Sequence, residues 1–256
     1  MKHIWLIILI ILSSIILAFV YNNYFQTDFF SRIKEKIYRK IDSKEKSIRI
    51  ISKNGDIYGI DVSHHQGKIE WVKVREWNGK KISFVYVKAT EGATYVDKTY
   101  NTNFKGAKDN NLLVGSYHYF RTTSSVKNQF ENFIKHIDKD KQDLIPLIDV
   151  EEKKNWNNVE FHKNFLEFLN LVENHFGAKP IIYTVNSFYN INLSGKYKSY
   201  HFLIGRYGDN PPNMKDRTSW TIWQFTETGK VDGISKYVDI DVLNSKFNLQ
   251  DLLLKK

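Results

Sequence analysis

The sequence predicts an α/β fold, a modified TIM-like β/α barrel of eight strands and about five helices. Three observations lead there. From residue 56 onward, short apolar runs alternate with amphipathic segments. The apolar runs number eight. Polar residues of the kind that chemistry needs gather at the ends of those runs rather than between them.

In order, the turn signal Asn54-Gly55-Asp56 precedes a strand at 57–63, IYGIDVS, and apolar spacing at 69–77 suggests a helix. ISFVYVKA at 82–89 is the second strand, followed by a helix at 100–109 and the strand LLVGSYHYF at 112–120. A helix at 125–136, with Phe130, Phe133, Ile134 and Ile137 on one face, leads to LIPLIDV at 144–150. A longer helix at 159–176 stops at Gly177, and Pro180 opens the strand PIIYTV. FLIGRY, SWTIWQF and a run at 237–242 follow with spacers too short for full helical crossovers. A doubly wound open sheet is the competing arrangement, but no glycine-rich phosphate loop follows an early strand.

The amino terminus has a different character. Residues 4–20, IWLIILIILSSIILAFV, carry no charge and follow Lys2, matching the lower limit of a membrane span or a long signal-peptide core. With no small-x-small cleavage signal after them, residues 1–22 are expected to form a hydrophobic helix, an anchor or uncleaved signal segment. Residues 23–55 read as a charged juxtamembrane stalk, since 31–50 hold eight basic and three acidic side chains. Those cations favour the cytoplasmic side of a membrane, whereas the site described next has work only outside; export is the reading adopted. Residues 56–256 form the barrel domain. The chain has no cysteine, which excludes disulfides, thiolate metal sites and a cysteine nucleophile. Its 38 basic against 28 acidic residues, net +10, favour polyanionic partners. No nucleic-acid motif is present, so nucleic acid is not among them.

Catalytic residues of such barrels lie at the carboxyl ends of strands. There the sequence places Asp61, then Lys88 and Glu91, then Tyr117, His118 and Tyr119, then Asp149, Glu151 and Glu152. Tyr183, Arg206, Trp223 with Gln224, and Asp239 with Asp241 complete the set. Strand alternation puts Asp149 and Glu151 on one face, about 6.6 Å apart along the chain, with Glu152 on the other. Acids, aromatics and amides converging in one cleft suit a sugar, whose ring faces stack and whose hydroxyls need partners. Glycosidic cleavage needs one protonated carboxyl and one carboxylate, and crowding of Asp61, Asp149 and Glu151 would separate their pKa values in that way. Glu151, with the longer reach, is the expected proton donor.

Tyr117, Tyr119, Tyr183, Trp223, Gln224 and Glu91 are the candidate substrate contacts. The aromatics have a core role as their alternative, and Glu91 an ion pair with Lys88. Asp239 is taken as the fourth acid, with Asp241 on the same face as its rival. His64, His65 and His118 lack metal-ligand spacing, and no metal or cofactor is expected.

GIDVSHHQG, FVYVKATEGATYVD, VGSYHYF, LIDVEE, WQF and VDGISKYVDID occur in this order. Over residues 58–244 the chain thus resembles family 25 of the glycoside hydrolases, the Chalaropsis-type lysozymes. The resemblance implies a barrel with fewer than eight helices and cleavage of the β-1,4 bond after N-acetylmuramic acid in peptidoglycan, without a metal. It implies that Glu151 is the general acid, Asp149 the carboxylate beside the 2-acetamido group, and Asp61 and Asp239 flanking acids. It leaves open whether the acetamido oxygen or water attacks first. Peptidoglycan strands are then the expected partner of a monomer held to the membrane by its amino-terminal helix. The expected location is the cell envelope, with the domain periplasmic or extracellular and secreted if the segment is cleaved. Two rivals remain: a non-catalytic wall-binding module, disfavoured by retention of four acids, and a hydrolase of another N-acetylated glycan such as chitin, whose longer D-x-x-D-x-D-x-E pattern is missing.

Overall fold

The computed structural model describes residues 56–154, 156–216 and 219–255, so the hydrophobic helix expected at 1–22 and the stalk at 23–55 lie outside the described residues. Among the described residues no helix is long and apolar enough to cross a membrane. The described residues form ten strands: β1 (Tyr58–Val62), β2 (Glu76–Trp77), β3 (Lys80–Glu91), β4 (Tyr95–Val96), β5 (Leu113–Tyr119), β6 (Leu147–Asp149), β7 (Ile181–Val185), β8 (Phe202–Gly205), β9 (Ile222–Gly229) and β10 (Val238–Leu243). All but β2 and β4 are staves of an eight-stranded barrel, closed because β1 pairs with both β3 and β10. Seven staves run parallel; β10 is antiparallel to both β9 and β1.

Among the described residues the α-helices are four rather than about five: α1 (Tyr100–Asp109), α2 (Val126–His136), α3 (Asn158–Phe176) and the single turn α4 (Asn186–Phe188). The first three are crossovers between parallel staves, and their ends are written in the sequence. Asn157 and Glu160 cap the start of α3 reciprocally, and Gly177 ends it. The helix expected at 69–77 does not form. A short 3-10 turn, Trp71–Lys73, leads instead into β2, which folds back on the start of β3. The connecting Asn78 and Gly79 have φ of 49° and 75°, the left-handed pair that favours a two-residue hairpin, and this local preference overrides the apolar spacing.

Outward-facing residues of the staves pack beneath the helices. His118 is fully buried between Phe133 of α2 and Phe168 of α3, its ring centroid 5.3 and 5.2 Å from theirs. Burial holds its imidazole neutral, with a pKa pushed down to about 3. Inside the barrel, Gly59 makes room for Phe84, whose ring lies 2.2 Å from where a Cβ would stand. Tyr86 beside it donates to the Ile145 carbonyl at 3.1 Å. This packing plugs the lower barrel and leaves the carboxyl ends of the parallel staves to form the site.

Candidate active site

A cavity of about 360 Å³ lies at that end, lined by four acids from three separate parts of the chain: Asp61, the neighbours Asp149 and Glu151, and Asp239. Asp149 is the last residue of β6, flanked in register by Tyr119 of β5 and Tyr183 of β7. The ladder continues one residue further, the Val150 N–H donating to the Tyr183 carbonyl at 3.0 Å, so the alternation brings Glu151 back to the cavity side. Across the cavity, Asp61 of β1 stands opposite Asp239 of β10. Because β10 is reversed, its amino end, not its carboxyl end, reaches the rim. The reversal also separates the two rival acids: Asp239 lines the cavity, while Asp241 lies two residues deeper, fully buried, with no hydrogen-bond partner on either carboxylate oxygen.

The acids form two electrostatically distinct groups. Poor solvation and the neighbouring Glu151 charge push Asp149 well above the usual carboxylate range. Glu151 is raised as well, chiefly by burial, with Asp149, Arg121 and Lys88 pulling the other way. The two carboxyls titrate as a coupled pair, each holding its proton more tightly than an isolated carboxyl would. Asp149 Oδ1 has no hydrogen-bond partner of its own. On the opposite wall, burial and then Asp239 and Asp241 raise Asp61. Burial and Glu227 push Asp239 to about 6.

Neighbouring side chains, some lining the cavity and some behind it, hold each group in place. Lys88 pairs with Glu91 at 2.6 Å, Arg121 bridges Glu91 at 2.6 Å and Glu152 at 3.0 Å, and the Arg121 guanidinium lies 4.4 Å from the Tyr119 ring centroid. On the other side, the Gln224 amide donates to Asp61 at 2.7 Å and its oxygen accepts from Tyr183 at 2.8 Å and Tyr207 at 3.3 Å.

Of the candidate contacts, Tyr117, Tyr119, Tyr183 and Gln224 line the cavity. Glu91 and Trp223 do not. Glu91 is spent on Lys88 and Arg121, and Trp223, adjacent to Gln224, faces away, its indole N–H donating to the Arg206 carbonyl at 2.7 Å. Arg206 itself turns to the Pro211 carbonyl. Among the described residues no group of histidines and acids is arranged to hold a metal ion. Tyr207 and Glu227 also line the cavity, and the sequence reading missed both. Glu227 was hidden by irregular pairing of β9 with β10, where three residues of β9 oppose two of β10 and reverse the alternation counted from Gln224. Tyr207 lies beyond the end of β8, where alternation no longer applies.

Paired acids of raised pKa, facing further acids across a tyrosine-lined cavity at the mouth of a barrel, mark a hydrolase of glycosidic bonds. More narrowly, the chain belongs to glycosyl hydrolases family 25, whose model matches residues 60–234. It is 37% identical over 190 residues to the Escherichia coli K12 protein described as uncharacterized protein YegX, covering 73% of this chain and 70% of that one. It is 33% identical over 183 residues to the autolytic lysozyme of Clostridium acetobutylicum, covering 72% of this chain and 54% of that protein. A solved family 25 glycosyl hydrolase from Bacillus anthracis shares the fold with a TM-score of 0.67 and 30% identity, over 75% of this chain and 93% of that one.

Proposed function

We propose that the cavity cleaves the β-1,4 bond between N-acetylmuramic acid and N-acetylglucosamine in peptidoglycan, with Glu151 as general acid and Asp149 steadying the 2-acetamido group. The observation that carries this reading is the pair Asp149 and Glu151, packed side by side in the cavity, both held above the usual carboxylate range and flanked by Lys88 and Arg121. An acetamido N–H bonding to the unpartnered Asp149 Oδ1 favours the ionised form of Asp149 and leaves the proton on Glu151. Glu151 then delivers that proton to the glycosidic oxygen as the carbon–oxygen bond breaks. Asp61 and Asp239, on the facing wall, hold the sugar hydroxyls and the attacking water. The lytic names of the relatives support peptidoglycan as the polymer.

In this reading residues 1–22 anchor a monomer to the inner membrane, 23–55 space it from the bilayer, and the domain works in the periplasm or outside the cell, released if the segment is cleaved. The test is digestion of purified peptidoglycan followed by mass analysis. Fragments ending in reducing N-acetylmuramic acid are expected; fragments ending in reducing N-acetylglucosamine, or digestion of chitin alone, would overturn the assignment. The anomer first released distinguishes attack by the acetamido oxygen from direct attack by water.

A further inference from the structure

A second hollow, of about 730 Å³, lies beside the catalytic cavity and shares His65 and Gln66 with it as a common wall. Its other side is the loop between β9 and β10, contributing Lys230, Asp232, Lys236 and Tyr237. The loop is a fixed wall. The Glu70 N–H donates to the Gly233 carbonyl at 2.8 Å, Ile69 bridges Ile234, and the Gln66 amide donates to the Tyr237 carbonyl at 3.1 Å. Gly233 has φ of 90°, and a Cβ there would stand 2.5 Å from the Glu70 carbonyl oxygen, so the close approach requires glycine.

The charge of this hollow is unbalanced. Lys73 and Lys88 nearby each hold a carboxylate, whereas among the described residues neither Lys230 nor Lys236 has an ion-pair partner. The one acid of the wall, Asp232, acts on Lys73 instead. Tyr237 is 55% exposed, with the Lys230 ammonium 5.8 Å from its ring centroid, and offers an apolar face beside that cation. A fixed, cationic, partly apolar hollow beside the cleft suits an anionic branch of the bound polymer better than the neutral sugar chain.

We infer that this hollow receives the carboxylates of the acidic peptide branch carried by muramic acid, with Lys230 and Lys236 as its anchors and Tyr237 beneath the branch. The inference rests on the proposed function, since it takes peptidoglycan as the polymer in the cleft. It assigns a specificity role to residues that touch none of the four acids.

The experiment compares the wild type, K230A/K236A and K230R/K236R on two polymers, peptidoglycan strands with their peptide branches and the same strands stripped by an amidase. For each, kcat and KM are measured from released reducing ends, and binding is measured separately by co-sedimentation. The ratio of kcat/KM on branched over stripped strands should fall about fivefold to tenfold in K230A/K236A, through KM, and recover in K230R/K236R. The binding ratio should follow and weaken with added salt. An unchanged ratio in both measurements overturns the inference. Both lysines are exposed, so the double variant is expected to keep the wild-type melting temperature. A wild type that binds the strands but cleaves neither refutes the hydrolase reading, while the binding ratio still decides the role of the hollow.

Discussion

The two walls of the cavity carry the same kind of residue in opposite electrical settings. Asp149 and Glu151, at the end of a parallel stave, are backed by Lys88 and by Arg121, which Glu91 and Glu152 hold in place. Asp61, Asp239 and Asp241, along the antiparallel seam, act chiefly on one another, with the Gln224 amide bonded to Asp61, a backbone N–H to Asp239, and Glu227 adding further negative charge. A cation beside a carboxyl that gives up its proton during turnover stabilises the charge left behind. A carboxyl that keeps its proton leaves no such charge. The difference teaches that the two walls, alike in acids, are told apart by cations: Lys88 and Arg121 act on Glu151, and the proposed assignment of the proton to that wall rests on this contrast.

The largest effect expected from this contrast is on turnover by Glu151→Gln, which should fall by about 10²- to 10⁴-fold with little change in melting temperature. Reducing-end release measures it, and a smaller loss than for any seam acid would reverse the assignment of the walls. Asp149→Asn should cost about 10²-fold in kcat, because the acetamido group loses its charged partner.

At the seam the effect is on stability and its sign is opposite to that of a salt-bridged acid. Asp239 ionises near pH 3.8 when unfolded and near 6 when folded, so the folded state binds its proton more tightly. Its contribution is present below pH 4 and is lost as pH rises towards 6, costing about 1 to 3 kcal/mol at neutral pH. Asp239→Asn should remove that loss and flatten the pH dependence of urea unfolding over this range. Asp241→Asn should act in the same direction, since Asp241 is buried, unpartnered and also held well above the usual range. The smallest effect is that of Arg121→Gln. Arg121 lowers the Glu151 pKa, so its removal should move the alkaline limb of the activity profile to higher pH, with about threefold or less change in maximal rate.

How much of this was legible in sequence follows from how regular the backbone is. On the parallel side, strand alternation alone puts Asp149 and Glu151 on one face, and they share the cavity because the ladder holds through Val150. Where the backbone leaves its repeat, reading by period fails. The hairpin at Asn78 and Gly79 was written as plainly as any helix cap, yet the apolar spacing at 69–77 drew the reading to a helix. Irregular pairing in β9 hid Glu227, while regular alternation there should have excluded Trp223 once Gln224 was chosen. Glu91 was a matter of competition. A strand-end acid points to ligand only if no nearer cation claims it, and Lys88 and Arg121 both do.

The reversal of β10 has one more consequence. The last stave finishes beside the first residues of the barrel, the Leu243 N–H donating to the Ile57 carbonyl, and the tail then laces to the foot of β6 through Leu254 and Asp143. Both ends of the barrel therefore emerge at its floor, opposite the opening. A bead, label or fusion partner attached at either end would leave the opening unobstructed, free to meet a polymer too large to diffuse to it.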